Sequence, residues 1–207
     1  MSALERGPRF EMRGGLACLD FANTVGWRLS DHPREFLGSY SDLLAWGSQA
    51  GVLDAAEIHA LSGRAASAPE ESRTVLARAA ALREAIYGAV SAGITGQPPE
   101  RGDLAILNGE LPASLGRLRI AFSGGGYGWE WDRGEMRLDR PLWSVARSAA
   151  ELLAGGRELD RVKVCDGEGC GWVFLDRSRN NSRRWCDSRD CGNRERVRRH
   201  LTRKKHA

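Results

Sequence analysis

Four cysteines near the end of the sequence form two close pairs with the spacing of a metal site. Four residues separate Cys165 from Cys170, another four separate Cys186 from Cys191, and fifteen residues lie between the pairs. Thiolates at this spacing can place four sulfur atoms around one Zn²⁺ ion at about 2.3 Å each. We expect a single zinc ion with a structural role, because four thiolates fill the tetrahedral shell and leave no position for a reactive water.

The same cysteines would pair as disulfides in an oxidising compartment, but the rest of the sequence favours metal binding. The first residues include Glu5 and Arg6 and lack an apolar core, so they do not resemble a secretory signal. The longest charge-free run, residues 85–99, contains two prolines and is too short to cross a membrane. We therefore expect a cytoplasmic protein with reduced thiols, in which the isolated Cys18 is buried and unreactive.

The cysteines lie in a strongly basic segment, which favours a polyanionic partner. Residues 161–207 contain 14 Lys and Arg against 6 Asp and Glu, a net charge of +8, whereas residues 1–160 carry a net charge of −4. Nucleic acid is the polyanion that such a segment most often binds. A basic surface that only aids solubility is the simpler alternative.

A basic helix is predicted from Cys191 onward, with its start fixed by a metal ligand. Val197 and Leu201 lie four residues apart and are expected to pack back against the zinc site. The cationic side chains are then free to contact phosphates or enter a groove. With the arginines between the cysteine pairs, the candidate nucleic-acid-binding residues are Arg177, Arg179, Arg183, Arg184, Arg194, Arg198, Arg199, Arg203 and Lys204.

Duplex DNA is the expected partner of this helix. One short finger offers few base contacts, so we expect either a homodimer or a monomer that binds very weakly. RNA is the alternative partner, because Trp172, Phe174 and Trp185 could stack on bases if they were exposed, although we expect them in the core of the zinc site. Membrane binding is disfavoured, because the helix has only two large apolar residues and both are assigned to the core.

A second group of residues near the N-terminus has the spacing of one helical face. If residues 20–28 are helical, five side chains share that face and could line a pocket for a small polar ligand: Asp20, Asn23, Thr24, Trp27 and Arg28. Helix capping, backbone hydrogen bonds and an ion pair would explain them without a ligand. No catalytic residues are predicted, since the sequence has no nucleophile–base pair or phosphate loop; an enzyme with this pocket as its active site is the least favoured alternative.

The elements that must position these residues are mainly helical. Apolar periodicity and capping residues predict helices over 39–50, 54–66, 71–92, 101–111 and 142–154. Short strands are predicted at 117–122, 127–131 and 135–138, and within the cysteine insert at 172–175 and 183–186. The fold class is therefore α+β. A mainly helical domain with a small antiparallel sheet, residues 1–156, precedes a small zinc-bound domain, residues 157–207.

Several of these segments resemble known families. The stretch from Cys170 to Cys186 and the tetrapeptide Cys191-Gly192-Asn193-Arg194 are similar to the CGNR zinc finger. Residues 16–28, LACLDFANTVGWR, resemble the opening motif of the ABATE domain, and residues 43–47, 51–53 and 82–87 resemble its later segments. The resemblance implies a bacterial stress-induced transcription regulator. Its N-terminal domain would sense a small ligand, and its zinc finger, of treble-clef or ribbon type, would bind DNA.

Overall fold

The structure, a computed structural model, describes residues 9–132, 134 and 136–205, and only the backbone of residues 203 and 205. Mainly helical segments lead into a C-terminal cysteine-rich part, and the architecture is α+β, as predicted. The described elements are α1 (Ala17–Ala22), β1 (Val25–Gly26), β2 (Arg34–Glu35), α2 (Tyr40–Gln49), α3 (Ala55–Ser67), α4 (Pro69–Thr95), α5 (Arg101–Leu115), β3 (Leu118–Ser123), β4 (Gly126–Trp131), α6 (Arg140–Gly155), β5 (Val162–Val164), β6 (Val173–Leu175) and α7 (Cys191–Lys205).

The longest helix, α4, lies at the centre of the helical part and contacts α1, α2, α3, α5 and α6. Its apolar residues recur with the helical period, and Val75, Leu82 and Ile86 are buried on the face that this period predicts. Gly96 ends the helix in the left-handed conformation, with φ of 67°. The predicted capping box of α3 is confirmed, because Asp54 and Glu57 each accept a hydrogen bond from the other's backbone amide.

The small sheet between α5 and α6 has two strands rather than the three predicted. β3 and β4 form a regular antiparallel hairpin closed by Gly124 and Gly125, which both have positive φ. The prediction of a third strand at 135–138 is wrong for Met136–Leu138, while Glu135 lies outside the described residues. Leu138 is fully buried and its carbonyl accepts a hydrogen bond from the Tyr40 hydroxyl, so the chain turns into the core instead of pairing with β4.

The helix considered for residues 20–28 extends only to Ala22, where α1 ends. The Thr24 hydroxyl donates to the carbonyl of Phe21, and the following residues, Val25 and Gly26, pair with β2. Trp27 then adopts the left-handed conformation, with φ of 53°, and this conformation cannot continue a right-handed helix.

The C-terminal part is joined to the helical part by a continuous apolar core. β5 and β6 pair antiparallel, and Val162, Val173 and Leu175 pack in the same buried cluster as the helices. The expected strand at 183–186 is absent, and β6 pairs instead with residues 162–164 that precede the first cysteine. The division into domains 1–156 and 157–207 stays a prediction, because side chains from both segments share one core.

Candidate metal centre and adjoining cleft

Four cysteine sulfurs converge at the end of the β5–β6 hairpin. Cys165 and Cys170 lie in the turn between β5 and β6, and Cys191 is the first residue of α7. All four Sγ atoms, including that of Cys186, are buried and lie within 4.8 Å of one another. The Cys170–Cys186 and Cys186–Cys191 sulfur distances are 3.8 and 3.6 Å. Four sulfurs at 2.3 Å from a central zinc would be about 3.8 Å apart, so the donor set fits a tetrahedral ion.

The backbone around the first pair is shaped to bring these sulfurs together. Gly169 and Gly171, on either side of Cys170, have φ of 69° and 67°, which a residue with a side chain rarely adopts. A Cβ at Gly171 would also lie 2.6 Å from Leu29 Cγ. Two backbone amides, those of Gly167 and Cys186, donate to Cys165 Sγ at 3.4 and 3.3 Å. Amides aimed at a sulfur stabilise its thiolate form and orient it as a ligand.

The loop between the cysteine pairs is organised by Asp176, which is fully buried. Its carboxylate accepts hydrogen bonds from Lys163 Nζ at 2.7 Å and from the amides of Ser178 and Arg183 at 2.8 Å each. Burial by itself would raise the pKa of Asp176, but these hydrogen bonds outweigh it and hold the pKa well below its usual range. Because the loop wraps around this carboxylate, residues 183–186 follow a turn rather than a strand.

Family models match almost the whole described chain. Residues 15–156 match the ABATE family, whose description is "Putative stress-induced transcription regulator". The chain belongs to the ABATE family. Residues 161–204 match the CGNR zinc finger, and no curated protein matches the chain. We refer to residues 15–156 as the ABATE region and to residues 161–204 as the CGNR finger.

The zinc site of this ABATE protein consists of the four cysteines of its CGNR finger. Cys165, Cys170, Cys186 and Cys191 of the CGNR finger hold one structural zinc ion, as their spacing predicts. All five cysteines are free of disulfides. Cys18 lies apart, fully buried, and burial raises the pKa of its thiol to about 12, which keeps it protonated and unreactive. Among the described residues, no helix is both long enough and apolar enough to span a membrane.

The helix that begins at Cys191 presents a different face to the protein than the sequence predicts. Val197 and Leu201, expected to pack against the zinc site, are 51% and 54% exposed, whereas Glu195 is buried. Cys191 and Glu195 lie four residues apart on one helical face, so fixing Cys191 to the metal turns the part of the helix that carries Glu195 inward. The Arg198 guanidinium, 2.7 Å from the Glu195 carboxylate, lowers the pKa of Glu195.

The candidate nucleic-acid-binding residues fall into two groups. Arg183 lies inside the finger, where it stacks on Phe174 at 4.4 Å and donates to the carbonyls of Trp185 and Cys186. Arg194 is exposed but also engaged, because it donates to Cys191 Sγ at 2.9 Å. The side chain of Arg203 lies outside the described residues. The remaining candidates are exposed: Arg177, Arg179, Arg184, Arg198, Arg199 and Lys204.

A cleft of about 340 Å³ lies beside the zinc site, between the ABATE region and the CGNR finger. Three of the predicted pocket residues, Asp20, Asn23 and Trp27, line this cleft. Thr24 and Arg28 do not. Thr24 bonds the Phe21 carbonyl, and Arg28 pairs with Glu84 and lies over the Tyr87 ring at 4.1 Å.

Sequence reasoning missed the cleft residues that come from other segments. Arg34 and Phe36 reach it from β2 and the loop that follows, and Trp172 reaches it from the finger. Sequence spacing could not have predicted that these residues line the cleft, because the β1–β2 turn and the docking of the finger bring them together from distant segments. Trp172 Nε1 donates to the Val25 carbonyl at 2.8 Å, which fixes one wall of the cleft.

Asp20 is a half-buried acid in the lining of this cleft. Burial raises the pKa of Asp20 to about 6, although backbone amides oppose the shift, and the Gly14 amide donates to it at 2.7 Å. Asn23, another residue of the lining, connects the two parts of the chain. Its side-chain amide donates to the Val173 carbonyl and accepts from the Val173 amide, both at 2.9 Å, and so binds the finger to the ABATE region.

Proposed function

We propose that this chain is a DNA-binding transcription regulator. The CGNR finger binds duplex DNA through α7 and the loop that precedes the second cysteine pair, and the ABATE region senses a small ligand in the cleft. One observation carries the DNA-binding part of the proposal. Helix α7 starts at the zinc ligand Cys191 and projects exposed cationic side chains from a fixed point. A metal-anchored helix of this kind can hold several cations in register with phosphates.

Five of the six exposed candidates other than Arg194 are the proposed phosphate contacts, and Arg177, which donates to the Gly15 carbonyl, is left out. Three lie on α7 and two on the loop between the cysteine pairs: Arg198, Arg199, Lys204, Arg179 and Arg184. Some of them already pair with carboxylates, as Arg184 does with Asp166 at 2.7 Å. Exposed ion pairs contribute at most about 1 kcal/mol, so DNA phosphates can replace these partners at little cost.

The unexpected exposure of Val197 and Leu201 supports the same proposal. These side chains, 51% and 54% exposed, lie on a helix that is otherwise strongly basic. Apolar side chains on a groove-bound helix contact the methyl group of thymine. An exposed apolar pair between arginines is therefore compatible with base reading in the major groove.

The ligand-sensing part rests on the position of the cleft. Its lining combines Asp20 and Trp27 of the ABATE region with Trp172 and Arg194 of the CGNR finger. A small polar ligand bound there would contact both parts and would change the position of Arg194. If the ligand binds the free and DNA-bound forms with different affinities, it must change DNA affinity by the same factor.

The two alternative functions have less support. RNA recognition by base stacking needs exposed aromatic rings, but Phe174 is fully buried and the Trp172 ring is held by its hydrogen bond to Val25. Enzymatic activity through an activated hydroxyl or amine nucleophile needs that nucleophile with a base. The described lining of the cleft offers no histidine, serine, lysine or tyrosine, and its cysteines are metal ligands.

DNA binding is tested by measuring the affinity of the zinc-loaded chain for duplex DNA as salt is raised. Five phosphate contacts predict a slope of log K against log salt of about −4.5. The double variant Arg198→Ala, Arg199→Ala should lower the magnitude of this slope by about 2. Arg101→Ala, on an exposed position of α5, is the matched control and should leave it unchanged. Absence of salt-sensitive duplex binding, or preferential binding of single-stranded RNA, would overturn the proposal.

Ligand sensing is tested by thermal unfolding in the presence of a panel of small polar metabolites. A compound that binds the folded cleft raises the unfolding temperature, by mass action. The increase should disappear in Asp20→Ala and Trp27→Ala, and should persist in Arg101→Ala. If every stabilising compound acts equally on the Trp27→Ala variant, the cleft is not the ligand site.

A further inference from the structure

The β3–β4 hairpin carries an apolar face that the described part of the chain covers only at one end. Side chains from alternate positions of the two strands lie opposite one another as three cross-strand pairs, which we call the hairpin face: Leu118 with Trp131, Ile120 with Trp129, and Phe122 with Tyr127. At the base, Trp131 packs against Trp143 of α6, with ring centroids 5.8 Å apart. The two outer pairs extend beyond this contact.

The outer part of the hairpin face is strongly exposed. Ile120, Phe122, Tyr127 and Trp129 are 69%, 65%, 83% and 59% exposed. An aromatic side chain buries about 150–250 Å² when covered, so the three rings alone present about 400 Å². This is as large as the largest apolar patch of a typical monomer, which is about 300–600 Å². It supplies about half of the area of about 800 Å² that each partner buries in a standard interface.

Neither outer edge of the hairpin is paired with a further strand among the described residues. β3 and β4 form a two-stranded sheet, so each has one unpaired edge. An isolated two-stranded hairpin is marginally stable in water, and an apolar face needs a packed surface for independent stability. Phe122 and Tyr127 at the outer end contact each other, with ring centroids 5.1 Å apart. The hairpin therefore has the features of an element that is completed by another surface.

We propose that the hairpin face is the interface of a homodimer, in which it packs against the same face of a second copy of the chain. A twofold interface brings each surface against its own copy, so like charges near the axis repel. None of the six hairpin-face positions carries a charge. The neighbouring rim offers both signs, because Arg147, whose guanidinium lies 5.4 Å from the Trp129 ring, pairs with Glu151. Such a face is complementary to itself.

The association state of the zinc-loaded full chain tests this proposal by sedimentation equilibrium over a wide range of protein concentration. The chain should reach twice its mass of 22.7 kDa as concentration rises. Phe122→Ser with Trp129→Ser should weaken self-association by more than about 30-fold, since central aromatic residues carry most of the binding energy of an interface. Glu130→Ser is the matched control. It changes the opposite face of the same hairpin and should leave the dimer intact.

A cross-linking measurement keeps the test independent of whether the serine variant retains its hairpin. Tyr127→Cys places a thiol on the hairpin face, and Glu130→Cys places one on the opposite face. A short bis-maleimide should link Tyr127→Cys chains into covalent dimers but should link Glu130→Cys chains no more than the unmodified chain. A chain that stays monomeric at every concentration overturns the proposal. So does a dimer that is cross-linked equally from both faces, because its interface must lie elsewhere.

Discussion

The guanidinium of Arg194 stacks on the ring of Trp27 at 4.2 Å, so the last residue of the CGNR tetrapeptide lies against the ABATE region. The same guanidinium donates to Cys191 Sγ at 2.9 Å. A zinc ion with four thiolates has a net charge of −2, which a cation in direct contact partly neutralises. The Trp27 loop is fixed from its other side, because the amides of Arg28 and Leu29 donate to the carbonyls of Cys170 and Gly169. Arg194 therefore couples the metal centre to the helical part.

Replacing Arg194 should weaken zinc binding. We expect Arg194→Ala to raise the zinc dissociation constant by about 10–100-fold, the usual effect of losing a residue that supports a metal ligand. Arg194→Lys keeps the charge but loses the planar group that stacks on Trp27, so an intermediate effect is expected. Competition with a chromophoric chelator measures both constants. Arg199→Ala, an exposed arginine of the same helix, is the control, and an equal loss in that variant would contradict the assigned role.

Asn23 should be essential for docking of the finger. Asn23→Ala leaves the buried amide and carbonyl of Val173 without partners, which should lower the free energy of unfolding by about 2–4 kcal/mol. Asn23→Asp should cost at least as much, because a carboxylate cannot donate to the Val173 carbonyl. Urea unfolding measures the change. Asn108→Ala, on an exposed position of α5, should stay within about 0.5 kcal/mol of the unchanged chain; similar losses in the two alanine variants would refute this prediction.

Zinc removal should destabilise the helical part as well as the finger. Val162, Val173 and Leu175 of the finger pack in the common core, so unfolding of the metal site exposes apolar surface of the helices. With free zinc at 1,000 times its dissociation constant, the ion contributes about 4 kcal/mol to stability. Chelation should therefore lower the unfolding temperature of the whole chain. Two independent transitions, with the first alone sensitive to chelator, would contradict this coupling.

The metal content of two cysteine variants checks the ligand assignment. We expect one zinc ion per unmodified chain and a loss of tight binding in Cys186→Ser, because three thiolates leave the tetrahedral shell incomplete. Cys18→Ala is the matched control, since Cys18 is buried in the helical core away from the metal ligands. Elemental analysis after gel filtration measures both. Retention of a full zinc ion by Cys186→Ser would refute the four-cysteine site.

Asp20 should make stability depend on pH. Burial raises its pKa from about 3.8 to about 6, so the folded state binds the proton more tightly than the unfolded state does. This contribution is fully present below pH about 4 and is lost as pH rises through 6; the shift corresponds to about 3 kcal/mol. Asp20→Asn removes the titration. Its free energy of unfolding should therefore rise relative to that of the unmodified chain between pH 4 and 6, and a difference that does not change with pH would exclude this role.

Local signals predicted much of the fold and the whole ligand set. Helix α3 follows from its capping box, α4 from apolar residues at the helical period, and the β3–β4 hairpin from a run of glycines between alternating strands. The zinc ligands follow from spacing, because two cysteines separated by four residues in a turn can reach one ion. Each of these features depends on residues that are close in sequence, where geometry is set by the backbone itself.

The failures share a different physical origin. A helix over residues 20–28 satisfies the periodicity, but Asn23 forms its hydrogen bonds with Val173, which is 150 positions away. The amphipathic pattern of α7 assigns Val197 and Leu201 to the core, but the ligand Cys191 determines which face turns inward. The strand at 183–186 is replaced by a loop around Asp176. In each case a distant partner outweighs the local preference.

The sequence by itself determined the metal, its four ligands, helices α2 to α6, the β3–β4 hairpin, and the basic character of the C-terminal helix. Only the tertiary structure decided which arginines are exposed, that Arg194 is stacked on Trp27, and that a cleft lies between the ABATE region and the CGNR finger. The physical reason is that ligand spacing and helical period are properties of short segments. The orientation of a helix and the lining of a cleft depend on which surfaces are buried when distant segments pack together.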